Sequence, residues 1–259
     1  MQFFLKQLIR KKNLLKNNIL ITISLAVITA SSSQADILSA WDISGIELDA
    51  APFGSSPYTF SATTLDSNVN SSALSLSSTV NPSTSASQYG FKVSGGSETA
   101  SLASAITAGH FLEFSITAAS GFVLNLTSIE ILGASSGTGA DDVAILSSVA
   151  GYSSGNELAS LTGIAGVTGG FDTDTSGFGS AINISSSAYQ EITSATFRIY
   201  GWNTSAGAGV TNIRNLSGND LVINGTTAAA PVPEPSSYAL LAGMLTLGFV
   251  ASRRRSLRQ

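Results

Sequence analysis

Apolar residues in the middle of the chain recur in short runs with a period of two, the spacing of a β-strand. In residues 111–117 (FLEFSIT), Leu112, Phe114 and Ile116 fall on one face and polar side chains on the other. Similar runs occur at residues 37–48, 143–146, 181–184, 196–200 and 221–223, and Gly, Ser and Asn separate them. The sequence shows no sustained helical period between residues 36 and 230. The pattern predicts an all-β fold, an antiparallel β-sandwich of jelly-roll type.

A phase change interrupts residues 123–132 (VLNLTSIEIL). Leu124 and Leu126 share one face of the predicted strand, but Ile129 is out of phase with them. A β-bulge or turn near Ser128 would bring both halves onto the same face, because a bulge adds one residue to one strand of a pair.

Residues 51–100 differ from the rest of the predicted β-domain. Twenty of these 50 positions are Ser or Thr, and large apolar residues are few. This composition predicts long loops with weak edge strands, and partial disorder is the alternative. We therefore expect residues 36–230 to form one secreted β-domain in which 51–100 is the loop-heavy part.

A longer apolar run lies near the N-terminus. A basic leader and the apolar residues 19–30 are followed by Ser33 and Ala35, which place small residues just before Asp36. This is the three-part pattern of a secretory signal peptide, and it predicts cleavage between Ala35 and Asp36. Residues 1–35 are then not part of the fold. An uncleaved N-terminal anchor is the alternative.

A second long apolar run lies near the C-terminus, after a proline-rich spacer. Residues 236–252 are 17 largely apolar positions without charge, at the short end for a transmembrane helix. Arg253, Arg254 and Arg255 follow at once. The positive-inside rule places these arginines in the cytoplasm and the β-domain outside, so the precursor is expected in the inner membrane. A simple tail anchor is the alternative to a processed tail.

The order of features in this tail is specific. Val232, Pro233, Glu234 and Pro235, then the apolar helix and the arginine cluster, resemble the PEP-CTERM sorting signal of Gram-negative bacteria. The resemblance implies that residues 231–259 are a sorting tail recognised by exosortase, a membrane-embedded enzyme of cysteine-protease type. It also implies an exported product at the cell surface or in the extracellular matrix, associated with exopolysaccharide or biofilm.

Parts of the β-domain also resemble a recurrent module of proteins with this signal. The resemblance rests on residues 40–45, 110–131, 136–152 with its Ser-Gly-Thr-Gly, 197–202, and 219–225 as a closing strand. It implies a jelly-roll of the carbohydrate-binding kind, with no catalytic residues to carry over. Leu146 stands where the module usually has arginine, and Ala150 where it has aspartate.

The net charge of -4 conceals an uneven distribution. Residues 36–230 contain three cationic side chains, Lys92, Arg198 and Arg214, against 15 acidic ones, a net charge of -12. Such a domain has no basic stripe for phosphate contacts, so nucleic acid is not an expected partner. Cations or neutral polymers such as glycans are more compatible with it. The chain has no Cys, which excludes disulfides, thiolate metal sites and a Cys nucleophile.

Two carboxylate pairs lie in glycine-rich segments. They are Asp141 with Asp142 and Asp172 with Asp174. Oxygen-rich loops suit Ca²⁺, so either pair is a candidate metal site, with a solvated turn as the alternative. Paired carboxylates also serve in glycoside cleavage, but the sequence shows no accompanying aromatic cleft.

Aromatic side chains are candidates for sugar contacts. The flat faces of Trp41 and Trp202 match the C–H surfaces of pyranose rings, although both lie in strand-like runs where core packing is an equal explanation. His110 is the single histidine, and no nucleophile elbow accompanies it. We therefore expect a non-catalytic structural or adhesion protein. The alternative is a carbohydrate-binding module, with or without the help of calcium.

Overall fold

The computed structural model describes residues 36–44, 58–83, 88–92, 100–174, 177–204 and 209–231. All of them belong to a unit that runs from Ala35 to Gln259. The predicted signal peptide and the apolar segment 236–252 lie outside these described residues. Within them, no helix is long and apolar enough to cross a membrane.

The described residues form short strands and very little helix. The strands are β1 (Asp36–Trp41), β2 (Phe60–Ser61), β3 (Thr64–Leu65), β4 (Val69–Leu76), β5 (Asn81–Pro82), β6 (Gln88–Lys92), β7 (Phe111–Ala118), β8 (Phe122–Ile131), β9 (Gly133–Ser135), β10 (Ala140–Ser147), β11 (Ala159–Leu161), β12 (Ile182–Asn183), β13 (Ser194–Thr204), β14 (Val210–Arg214) and β15 (Leu221–Ala229). An α-helix, α1 (Leu102–Ala108), precedes β7, and a 3-10 turn covers Ser187–Tyr189.

The strands form three antiparallel sheets. Sheet A has the order β12-β8-β15-β1-β3, sheet B the order β11-β10-β13-β7-β4-β2, and sheet C the order β5-β6-β14-β9. The strand pairs in all three sheets are antiparallel. The prediction of an antiparallel all-β fold is confirmed, and the jelly-roll type stays a prediction.

One apolar core joins sheets A and B. Burial alternates along β7, with Leu112, Phe114 and Ile116 turned inward, as the sequence pattern predicted. From sheet A, the ring of Trp41 meets that of Phe114 edge-on, with centroids 6.3 Å apart. Large side chains of both sheets belong to this continuous cluster, so the two sheets are stabilised mainly by shared burial of apolar surface.

The phase change predicted in β8 is present as a bulge. Ser128 pairs with Asn224 of β15, but the next pair along joins Leu126 to Gly225, so Thr127 is the extra residue. The bulge turns Ile129 inward on the same side as Leu126, and both are fully buried.

Helix α1 covers part of the outer face of sheet B, an element that the sequence analysis did not predict. Ser101 caps its first turn by accepting a hydrogen bond from the backbone N–H of Ser104, 3.2 Å away. Gly109 ends the helix in the left-handed conformation, with φ of 71°. Leu102 and the face of the helix around it pack against Tyr200, forming a second, smaller apolar cluster.

The Ser/Thr-rich region contains one strand that is more than a weak edge. β4 lies between β7 and β2 in sheet B, and its Leu74 and Leu76 are buried. Its buried Ser72 hydroxyl donates to the carbonyl oxygen of Ser115 in β7, 2.7 Å away. Polar side chains with such partners are compatible with an interior strand, which composition alone did not reveal.

The two ends of the described domain lie side by side. The last strand, β15, has β1 on one side and β8 on the other, so it is central in sheet A. Asp36, the first residue of β1, pairs with Gly225 at the middle of β15, and the second half of β15 continues past the start of β1 to Ala229. The chain therefore enters and leaves the domain at the same end of sheet A.

Candidate functional site

A cleft of about 310 Å³ opens between the turn that follows β9 and the end of β13. Its lining consists of small or polar residues, namely Gly137, Gly139, Asp141, Ala165, Asn203 and Thr204. We call it the Asp141 cleft.

Glycines shape one wall of the Asp141 cleft. The N–H of Gly139 donates to the carbonyl oxygen of Ser136, 2.8 Å away, and closes a tight turn. A Cβ built on Gly139 would overlap the Ser135 hydroxyl and lie 2.6 Å from the carbonyl oxygen of Val210, so only glycine fits there. A Cβ built on Gly137 would meet nothing within 4 Å, so this position faces open space.

A loop over residues 162–174 forms the opposite wall. Ala165 forms an isolated parallel bridge with Ser135 of β9, and the N–H of Gly166 donates to the Ser135 carbonyl oxygen at 3.0 Å. Further along, the N–H of Phe171 donates to the carbonyl oxygen of Gly133 at 3.0 Å. These backbone bonds hold the loop against β9 and thereby fix the width of the cleft.

The predicted pair Asp141 and Asp142 lies in β10, and the two carboxylates have different partners. The Asp141 Oδ1 accepts from the backbone N–H of Ala165 at 3.2 Å. The Asp142 Oδ2 accepts from the side-chain amide of Asn203 at 3.2 Å. Asn203 itself has a positive φ of 57°, a conformation that Asn tolerates better than most residues.

The predicted pair Asp172 and Asp174 is divided between the core and a second cleft. Asp172 is almost fully buried and forms an ion pair with Arg214 of β14. Burial raises the pKa of Asp172 above its ordinary value, and the charge of Arg214 acts in the opposite direction. Asp172 therefore has a structural partner.

The second cleft, of about 210 Å³, carries more acidic side chains. Its lining is Glu130, Ile131, Leu132, Thr173, Asp174, Ser217, Asn219 and Asp220. The Asp220 carboxylate accepts from the backbone N–H groups of Ile43 at 2.9 Å and Leu216 at 2.8 Å. Burial raises the pKa of Asp220. These bonds tie the start of β15 to the end of β1.

Among the described residues, no group of three or more His, Cys, Asp or Glu side chains is placed to hold a metal ion. Asp141 lines one cleft and Asp174 lines the other. The geometry gives the predicted calcium site no additional carboxylate ligand from this part of the chain.

The two tryptophans have opposite environments. Trp41 is fully buried, and its indole N–H donates to the carbonyl oxygen of Phe60 at 3.3 Å. Its ring is closed to a glycan, so the prediction of a sugar contact at Trp41 is corrected to a core role. Trp202 is half-buried on the outer face of sheet B, where it packs near α1. It pairs across strands with Asp142.

A stacked arginine lies on the same outer face, and the sequence analysis did not predict it. The guanidinium of Arg198 lies 4.0 Å from the ring centroids of both Phe111 and Tyr152. Its Nε also donates to the Glu113 carboxylate of the neighbouring strand at 2.8 Å. Burial raises the pKa of Tyr152 to about 12. The signal for part of this cluster was the alternation in β7, which places Phe111 and Glu113 on the face opposite the core.

His110 connects α1 to β7. Its backbone N–H donates to the carbonyl oxygen of Ala105 at 3.1 Å. Its side chain is buried, and no described residue is a hydrogen-bond partner of its Nδ1. Burial lowers the pKa of His110 below its ordinary value of 6.5. His110 lies between the C-terminus of α1 and the start of β7.

The chain continues from the end of β15 into the predicted sorting tail. The structure describes the chain up to Pro231, so Val232–Pro235, Arg253, Arg254 and Arg255 lie outside the described residues, as does the predicted cleavage residue Ala35. Residues 231–255 match the family model of the PEP-CTERM protein-sorting motif. No curated protein and no solved structure matches the chain.

The match and the fold together define a class. The chain carries an antiparallel all-β domain followed by a sorting signal. The chain carries a PEP-CTERM protein-sorting motif at residues 231–255, and the resemblance of its tail to this sorting signal is confirmed. This motif indicates a protein that exosortase sorts to the cell surface through a membrane-anchored precursor.

Proposed function

We propose that the protein is a non-catalytic structural or adhesion component of the cell surface or extracellular matrix of a Gram-negative bacterium, associated with exopolysaccharide or biofilm. The observation that supports it most is the connection between fold and tail. β15 is central in sheet A and ends at Ala229, two residues before the sorting motif begins at residue 231. The sorting signal therefore follows directly on a folded domain.

The partners of two buried carboxylates and of one partly exposed arginine support a non-catalytic domain. Asp220 accepts two backbone hydrogen bonds, and Asp172 pairs with Arg214. Arg198 is stacked between two aromatic rings and paired with Glu113. Each of these groups stabilises a contact between strands or loops, which is the usual role of partnered buried charges.

Processing at the tail is tested by mass spectrometry of the protein recovered from the surface of its native cell. We expect a mature start at Asp36 and loss of the segment beyond Pro235. The Glu234→Ala variant should accumulate as membrane-bound precursor, and Glu191→Ala, which changes an exposed glutamate of the β-domain, should be processed normally. Intact residues beyond Pro235 in the surface product would leave a simple tail anchor as the explanation.

The matrix role is tested in cells that lack the protein. We expect weaker biofilm cohesion, restored by the full chain but not by a chain that ends at residue 230. An unchanged biofilm in the deletion strain would contradict the structural role while leaving the export pathway intact.

A carbohydrate-binding module, possible with or without calcium, is the second candidate. Trp202 favours it, because its side chain is partly exposed on the outer face of sheet B and pairs across strands with Asp142. A glycan array probed with and without added calcium discriminates the two functions. Binding that Trp202→Ala abolishes would support the module, and no binding under either condition would exclude it.

A further inference from the structure

The Asp141 cleft contains hydrogen-bonding groups that the described part of the fold does not use. Thr204 is only 6% exposed, and its Oγ1 is buried without a partner among the described residues. Asp141 uses Oδ1 to bind the N–H of Ala165, which leaves Oδ2 for another donor. Buried polar groups are almost always partnered in folded proteins, so a hydroxyl left unpaired at the wall of a cleft points to a ligand.

The mixture of groups identifies the chemistry of that ligand. A carboxylate accepts hydrogen bonds, a carboxamide both donates and accepts, and a hydroxyl does either. Asp141, Asn203 and Thr204 of the lining carry these three groups, and the side-chain nitrogen of Asn203 already donates one hydrogen bond to Asp142. Adjacent hydroxyls of a sugar ring are donors and acceptors at once, so they satisfy all three.

The charge of the cleft distinguishes a neutral sugar from other ligands. Among the described residues, the lining contains one carboxylate and no cationic side chain, and Asp142 lies next to it in the chain, so an acidic sugar would be repelled. A calcium ion takes six to eight oxygen ligands and favours several carboxylates, which this lining does not offer. A neutral sugar needs neither a cationic side chain nor several carboxylate ligands.

The size and the glycine wall set the number of sugar units. A cleft of about 310 Å³ is at the small end of ligand pockets, enough for one sugar residue. Gly137 leaves open space where a side chain would otherwise stand, so a ring can approach the backbone closely. We propose that the Asp141 cleft binds a single neutral hexose unit, as the contact between this domain and a surface polysaccharide.

This inference rests on the proposed matrix role, since it names the ligand class that such a role would use. The hexose-binding inference and the matrix role can be refuted independently of each other. Sugar binding is measured on purified protein, whereas the matrix role is measured in cells.

The test is a titration of the full chain, purified in detergent, with D-glucose, D-galactose and D-mannose, each alone, followed by NMR or calorimetry. We expect at least one hexose to bind with a dissociation constant on the order of 1 mM, as the small contact allows. Asp141→Asn and Gly137→Leu should each weaken binding by about tenfold or more, because one removes a charged acceptor and the other fills the cleft. Glu191→Gln, an exposed change outside the cleft, should bind as the unaltered protein does.

Thr204→Val separates a binding role from a structural one. Replacing an unpaired buried hydroxyl by a methyl of similar shape should leave the fold as stable or more stable, yet weaken hexose binding by about tenfold. The proposal is overturned if none of the three hexoses binds, or if Asp141→Asn and Thr204→Val bind as tightly as the unaltered protein. It is also overturned if calcium chloride alone binds and Asp141→Asn abolishes that binding, since the cleft is then a cation site.

Discussion

The contact between Gly133 and Phe171 holds one wall of the Asp141 cleft, and its energy can be predicted. Phe171 is 1% exposed, and its ring lies against the Gly133 backbone so closely that a Cβ at position 133 would overlap the ring. Gly133→Ala therefore forces the ring or β9 to move. Overpacking of this kind costs about 1–3 kcal/mol, and we expect the upper end because the obstacle is a rigid, buried ring.

A double-mutant cycle tests this reasoning. Phe171→Ala alone should cost about 3–5 kcal/mol, because it empties a large buried volume. The pair Gly133→Ala with Phe171→Ala should be no less stable than Phe171→Ala alone, because the new methyl enters the vacated space. The two changes are then non-additive by about 1–3 kcal/mol.

The measurement is urea unfolding of residues 36–231, followed by circular dichroism. Gly137→Ala is the matched control, since a Cβ there meets nothing within 4 Å, and it should change the free energy of unfolding by less than about 0.5 kcal/mol. If Gly133→Ala is as harmless as this control, the close contact is not a constraint. Additivity of the pair to within about 0.5 kcal/mol would equally refute the argument.

Three further predictions concern the pH dependence and the outer face of sheet B. Burial lowers the pKa of His110, so near pH 6.5 the unfolded chain binds a proton that the native chain does not, and stability falls as pH decreases below about 6.5. In thermal unfolding, His110→Gln should remove this contribution to the pH dependence of stability. Arg198→Lys should lower the free energy of unfolding in urea by about 1 kcal/mol, because lysine keeps the charge near Glu113 but loses the planar stacking on two rings. An unchanged free energy of unfolding would mean that the stacking contributes no net stability. In acrylamide quenching, Trp41→Phe should leave an accessible Trp202 signal and Trp202→Phe a shielded Trp41 signal, and the reverse order would contradict the burial described here.

The strands with strong apolar alternation were predictable from sequence. β7 has a buried face of Leu112, Phe114 and Ile116 because one side of an antiparallel strand meets the core and the period of two shows it. The bulge in β8 was predictable for the same reason, since an out-of-phase Ile129 has to be turned inward by one extra residue at Thr127. Local pattern is sufficient where burial is one-sided.

Elements whose stability comes from partners were not predictable in this way. β4 carries Ser72 at a buried position, because its hydroxyl bonds to the neighbouring strand. Helix α1 is seven residues long, too short for a clear helical period, and it is stabilised by its caps at Ser101 and Gly109 and by packing on sheet B. Trp41 was ambiguous, since a strand position does not reveal which face the core occupies.

The candidate site depended still more on long-range contacts. Asp141 was recognised as a loop carboxylate, but Thr204 gave no signal, because its hydroxyl matters only through its place beside the cleft. Residues 137, 165 and 203 are far apart in sequence, and the register of β10 with β13 and the loop alongside β9 bring them together.

The central position of β15 has a mechanical consequence. A load on the domain that is resisted at its tail acts along β15 from the Ala229 end. β15 pairs with β8 over Leu221–Ala229 and with β1 over Leu221–Gly225. Because these hydrogen bonds run across the strand direction, such a load shears the bonds of each ladder instead of opening them one at a time. A strand paired on one side only would meet a load with a single ladder, whereas β15 meets it with one ladder along its whole length and a second along its first five residues.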